Sequence, residues 1–117
     1  MRQDVAEKWV AALRSGDYKR VNGCLKGGRG FCCLGVLCDI HAKEVGGEWT
    51  PGFKDATFRY GGDDNYLPSL VVEWAGVSSH TPRVVEGPLA DMNDGMADNV
   101  DGFGMIADAI ERDWETI

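Results

Sequence analysis

Three cysteines and a histidine fall within ten residues, in Phe31-Cys32-Cys33-Leu34-Gly35-Val36-Leu37-Cys38-Asp39-Ile40-His41. Thiolate and imidazole are the donors that zinc prefers, and Cys38 and His41 stand three apart. Cys33 and Cys38 would share a face only if the helix began late, and Cys24 would have to complete the set from the preceding loop. Structural zinc sites, however, pair Cys-x-x-Cys or similar knuckles, and that spacing is absent. Free cysteine is also a small apolar residue suited to a crowded helix. The expectation is therefore core packing without a metal, with Cys33, Cys38 and His41 as the ligand candidates if one is bound. Neighbouring Cys32 and Cys33 diverge on a helix, which argues against disulfides. A nucleophilic thiol needs a depressed pKa, which Cys32 or Cys33 would obtain from a helix N-terminus beside Arg29. His41 and His80 are the imidazoles available to assist it. No catalytic set assembles from these residues, so no enzyme activity and no cofactor is expected.

A second constellation precedes that helix. Lys26-Gly27-Gly28-Arg29-Gly30 runs straight into its start, and Lys19 and Arg20 lie upstream. Free amides and the dipole of a helix N-terminus favour an anion. Glycines allow the backbone to approach a phosphate, and the cations would neutralise it. The predicted ligand site is thus Lys19, Arg20, Lys26, Gly28, Arg29 and Gly30. No Gly-Lys-Ser/Thr follows, so it is not a Walker loop, and no strand pattern precedes it as a dinucleotide fingerprint requires. The competing reading is a solvated loop whose glycines merely turn the chain.

Asp91, Asn93, Asp94, Asp98, Asn99 and Asp101 invite a calcium reading, but Gly95 stands where a ligand oxygen belongs and Gly102 where the twelfth-position Glu should be. Turns and caps suit these residues better. Among the aromatics, Trp9, Phe31, Trp74, Phe103 and Trp114 fit core positions. Trp49, Phe53, Phe58 and Tyr60 would stack a base or anchor a partner if exposed.

The elements that must position these groups follow from periodicity. A helix over residues 4–15 carries Val5, Trp9, Val10 and Leu13 on one stripe, with Asp4 and Glu7 as a capping box and Gly16 as its stop. Residues 17–30 form a loop plugged into the core by Leu25. A helix over residues 31–45 has so wide an apolar arc that it must be central, and Gly35 on it permits close approach of a neighbour. Residues 48–60 read as a hairpin turning at Pro51-Gly52 or Lys54-Asp55. A short helix starts at Leu67-Pro68 and stops at Gly76. A strand near Arg83-Val84-Val85, one helical turn over residues 89–93 and a final helix from Gly102-Phe103 capped by Asp101 complete the chain. The fold class is α+β: four helical segments around a small antiparallel sheet, in one domain of 117 residues.

Twelve Lys and Arg against nineteen Asp and Glu give a net charge of −7, unevenly spread. Residues 1–47 carry +3 and residues 48–117 carry −10. An acidic chain is a poor duplex-DNA binder, because phosphate neutralisation needs clustered cations. The acidic segment from Asp91 to Asp101 would also suit the basic loop of a second copy, giving a head-to-tail or symmetric homodimer. An apolar content of 44% excludes global disorder. The longest apolar run, over residues 31–38, is too short for a membrane span, and the amphipathic N-terminus does not read as a signal-peptide core. A soluble cytoplasmic protein is expected.

Trp9-Val10-Ala11-Ala12-Leu13-Arg14-Ser15-Gly16-Asp17-Tyr18, Phe31 through Asp39, Glu73-Trp74-Ala75-Gly76 and Leu89-Ala90-Asp91-Met92-Asn93-Asp94 together resemble a family of small uncharacterised proteins encoded by bacteriophages and prophages. Members often carry Gln where Arg20 stands and a shorter segment than Ala97–Gly102. The resemblance implies a phage accessory protein acting in the host cytoplasm, and carries over no catalytic residue. With the charge distribution, it makes the leading expectation a binding protein of host-interaction or counter-defence type. Its partner would be a host protein or a small, nucleotide-like anion. A Cys/His metal or thiol protein and a regulator contacting nucleic acid through the basic third are the alternatives.

Overall fold

A computed structural model describes residues 1–97 and 100–117. The first helix, α1 (Gln3–Arg14), buries Val5, Ala6, Trp9, Val10 and Leu13, the predicted stripe. Its cap differs from expectation. Arg2 occupies the N-cap position without a side-chain cap, and Asp4 instead pairs with the Arg2 guanidinium at 2.7 Å. Gly16 adopts φ +80° just beyond the helix, as its stop requires.

The stretch expected to be a loop contains a tight hairpin, β1 (Lys26–Gly27) and β2 (Gly30–Phe31), with Lys26 opposite Phe31. Its glycines hide it, because three of the residues at its centre have no side chain to alternate. On the other side of β2, Phe31 N donates to Lys19 O at 2.8 Å and Val21 N to Phe31 O at 3.0 Å. The chain before the hairpin therefore runs alongside it.

Helix α2 (Cys33–Val45) is the centre of the molecule, with Cys33 through Cys38, His41 and Ala42 buried. Trp9 Nε1 donates to Cys33 O at 2.9 Å, fastening α1 to its start. At Gly35 a Cβ would lie 1.8 Å from Leu25 O, so glycine sets how closely the chain before β1 approaches the helix. Leu25 is fully buried, as expected.

The second hairpin is β3 (Thr50–Pro51) and β4 (Thr57–Arg59), and its turn is the one at Lys54-Asp55 rather than at Pro51. β4 also pairs with β1, giving an antiparallel sheet in the order β2-β1-β4-β3. Helix α3 (Ser69–Ala75) follows Pro68, which is the N-cap residue, and ends at Gly76 in the left-handed conformation. A small hairpin, β5 (Arg83–Val84) and β6 (Gly87–Pro88), leads into α4 (Leu89–Asp94). The turn expected at residues 89–93 is thus a six-residue helix, which makes five helices among the described residues. Helix α5 (Phe103–Asp113) packs along α1 and continues into a 3₁₀ turn, Trp114–Thr116. Asp101 serves its start from one residue further out than expected: Oδ1 accepts from Phe103 N at 3.2 Å, while Gly102 takes the N-cap position. The architecture is α+β, one globule with a Cα radius of gyration of 12.7 Å. Among the described residues, no helix is long and apolar enough to cross a membrane.

Candidate functional site

Burial decides the fate of the cysteine-histidine cluster. Cys32, Cys33 and Cys38 are all buried, and burial pushes the Cys32 thiol up to about 12 and those of Cys33 and Cys38 well above their usual 9.0. Cys24, half-buried, is raised by burial and by nearby Asp94 and Asp64. A nucleophile needs the opposite shift, so activation of Cys32 or Cys33 by the helix start, the alternative to core packing, is opposed by desolvation. The side chains also face different partners. Cys32 Sγ accepts from Gly35 N at 3.3 Å, Cys33 Sγ donates to Leu89 O at 3.6 Å, and His41 Nδ1 lies 2.6 Å from the Tyr60 hydroxyl. Among the described residues, no three His, Cys, Asp or Glu gather to hold a metal ion. In the acidic segment, Asp98 and Asn99 lie outside the described residues.

The start of α2 is not an anion site either. Cys33 N donates to Asn93 Oδ1 at 3.1 Å, and Gly35 N is taken by Cys32 Sγ. Asn93 is completely buried, and its amide also donates to Val21 O at 2.9 Å. A side chain from α4 thus fills the place where a ligand was expected. Its signal in the sequence was a polar residue one helical turn after Leu89, on that helix's apolar side.

The cations disperse in an informative way. Arg20 is 4% exposed. Its Nε donates to Val100 O at 3.0 Å and Nη1 to Asn93 O at 2.6 Å, and the guanidinium also bonds Asn22 Oδ1 and Ala97 O. A buried guanidinium is tolerated only when its donors are satisfied. These acceptors are three backbone carbonyls and an amide, so its charge has no carboxylate partner among the described residues. Lys26 lies elsewhere. Its cross-strand partners are Phe31 and Phe58, and its ammonium sits 4.8–5.3 Å from the ring centres of Phe31, Trp49 and Phe58. That is a cation–π arrangement internal to the sheet. Gly28 is exposed at the hairpin tip, where an added Cβ would meet Ala56 Cβ at 3.3 Å.

Lys19 and Arg29 do converge. Both are exposed, and among the described residues neither has an ion-pair partner. Gly30 brings their strands together, since a Cβ there would lie 2.1 Å from Lys19 O. Together with Arg20 they line an open cleft of about 670 Å³, bounded also by Tyr18, Val100 and Asp101. They also line an adjoining recess of about 220 Å³ that reaches Val21 and Asn22. Sequence reasoning missed Tyr18, Val100 and Asp101, the last because its role as a helix cap accounted for it. Tyr18 is pinned: its hydroxyl donates to Asp39 Oδ2 at 2.6 Å, and its ring meets the edge of Phe31 at 5.0 Å. Burial pushes the Asp39 carboxyl up, but hydrogen bonds from Tyr18, Lys43 and Trp49 outweigh it and leave its pKa below 3.8.

A groove of about 410 Å³ between α1 and α5 contrasts with this cleft. Its one cation, Arg14, is already held by Asp108 and Glu111, each at 2.7 Å. It has no spare positive charge for an anion. Neither a curated protein nor a solved structure matches the chain. Residues 1–113 match the family described as Domain of unknown function (DUF8296), and the chain belongs to it.

Proposed function

We propose that the protein is a binding protein that captures a small anionic ligand in the cleft between Lys19 and Arg29. One observation carries this reading: two exposed cations, without an ion-pair partner among the described residues, converge on a concave site beside a third that is fixed in place. Arg20 has spent its donors on the chain, but its charge still acts on the cleft. Against these three positive charges the cleft sets, among the described residues, one carboxylate, Asp101, in a chain whose net charge is −7. The resemblance to phage-encoded proteins supports an accessory role in the host cytoplasm, where the ligand would be a host-derived small molecule.

The test is calorimetric titration and thermal shift with inorganic phosphate, pyrophosphate and nucleotides, on the wild-type protein and on Lys19→Ala/Arg29→Ala. Both side chains are exposed and without an ion-pair partner among the described residues, so the double variant should melt at the wild-type temperature without ligand. Loss of two charge-assisted contacts should weaken binding by at least about tenfold. Absence of binding by every anion at millimolar concentration would sink the reading, as would undiminished binding by the double variant.

A further inference from the structure

We infer that the ligand is a nucleoside di- or triphosphate, with its phosphates between Lys19 and Arg29 and its base in the wide part of the cleft. The inference rests on the anion-binding reading above and names the ligand class.

The cleft has two lobes of different chemistry that share Lys19, Arg20 and Arg29. The narrow lobe of about 220 Å³ adds Val21 and Asn22 and, among the described residues, no carboxylate. A phosphate chain suits it. A compact inorganic anion would need nothing more. The wide lobe of about 670 Å³ adds Tyr18, Val100 and Asp101, and its size suits an organic group rather than a bare ion. Tyr18 and Val100 supply apolar wall, and the bond from the Tyr18 hydroxyl to Asp39 holds that ring in place.

Asp101 decides the rest. A carboxylate repels phosphate, so the part of the ligand beside it must bring hydrogen-bond donors. Its Oδ1 accepts from Phe103 N at 3.2 Å, which leaves Oδ2 for the ligand. Guanine offers an imino and an amino donor on one edge, and adenine an amino group. Uracil offers a single imino donor between two carbonyls that the carboxylate repels. The ligand is therefore bipolar: anionic at the shared cations and donor-bearing at Asp101, with guanine the best match.

Titrating GDP, ADP, UDP, pyrophosphate and guanosine into the wild-type protein and Asp101→Asn tests this. Asparagine keeps an oxygen for Phe103 N, and the melting temperature without ligand checks that the fold is kept. GDP should bind at least about tenfold tighter than UDP, pyrophosphate or guanosine. Asp101→Asn should bring GDP down towards UDP and leave pyrophosphate binding undiminished. Pyrophosphate binding as tightly as GDP, or UDP matching GDP in the wild-type protein, would overturn the inference and leave the anion site standing. If no anion binds at all, the underlying reading falls with it. The GDP-to-UDP ratio in the wild-type protein decides the matter even if the variant is unstable.

Discussion

Gly35→Ala sets two known effects against each other. Gly35 is the third residue of α2, and alanine is favoured over glycine within a helix by up to about 1 kcal/mol, so propensity alone predicts a more stable protein. Packing predicts the reverse. The new Cβ would lie 1.8 Å from Leu25 O, 2.6 Å from its carbonyl carbon and 3.2 Å from its Cα. These are backbone atoms, and they have nowhere to go. The Leu25 side chain is fully buried, its N donates to Asp64 O at 2.7 Å, and its O accepts from Cys32 N at 3.0 Å. Restoring ordinary contact means moving α2 from Leu25 by roughly 1.5 Å, which breaks the bond to Cys32 N at about 1 kcal/mol. Overpacking the surrounding core costs about 1–3 kcal/mol more. After subtracting the propensity gain, a net loss of about 2 kcal/mol remains, or a melting temperature lower by about 8 °C.

Urea unfolding followed by tryptophan fluorescence measures it, with Gly104→Ala as the control. Gly104 lies in α5 with nothing within 4 Å of its added Cβ, so there only propensity acts, and a gain of about 0.5 kcal/mol is expected. A Gly35→Ala protein as stable as wild type would refute the steric account of the α2 contact.

Two further outcomes follow from burial. Burial holds the His41 pKa below its usual 6.5, against a smaller opposing effect of Glu44, so between the native pKa and about 6.5 the unfolded chain binds a proton that the native one does not. Stability contributed by His41 is then complete above pH 6.5 and falls as the pH drops below it, by at most about 1.4 kcal/mol per pH unit. The Asp39 carboxyl, held below 3.8, loses its own contribution only at lower pH, so the two windows separate. Urea midpoints at about pH 7.5 and 5.5 should differ for wild type and converge for His41→Gln; equal slopes in the two proteins would exclude His41 as the source. For the thiols, iodoacetamide at neutral pH should label at most Cys24 in the native protein and all four cysteines in denaturant, as counted by intact mass. Rapid native labelling of Cys32, Cys33 or Cys38 would show that the core opens.

What could be read in advance depended on whether a residue's role was local. The stripes of α1 and α2, the stops at Gly16 and Gly76, and the plug at Leu25 are set by periodicity and by residues close along the chain, and they are where expected. The β1–β2 hairpin escaped because Gly27, Gly28 and Gly30 erase the alternation that marks strands, while its pairing with the chain at Lys19–Val21 joins residues ten to twelve apart. The site was half legible for the same reason. Lys19 and Arg29 are neighbours through that pairing, as the loop's composition suggested. Tyr18, Val100 and Asp101 reach the cleft only because distant segments fold across it. Lys26, one residue in strand β1, turns to the opposite chemistry because its cross-strand partners are both phenylalanine.

Arg20 links the two halves of the charge imbalance. The basic first half and the acidic second half meet within one chain: at Arg14 the junction is made of opposite charges, but at Arg20 it is not. Arg20 grips the carbonyls of Asn93, Ala97 and Val100, and Gly23 N donates to Asp94 Oδ1 at 3.1 Å. A carboxylate in the place of those carbonyls would have neutralised the guanidinium and left the cleft with Lys19 and Arg29 set against Asp101. Carbonyls satisfy the same donors while leaving the full charge in place. Holding Asn93, Ala97 and Val100 and keeping the cleft positive are therefore one arrangement.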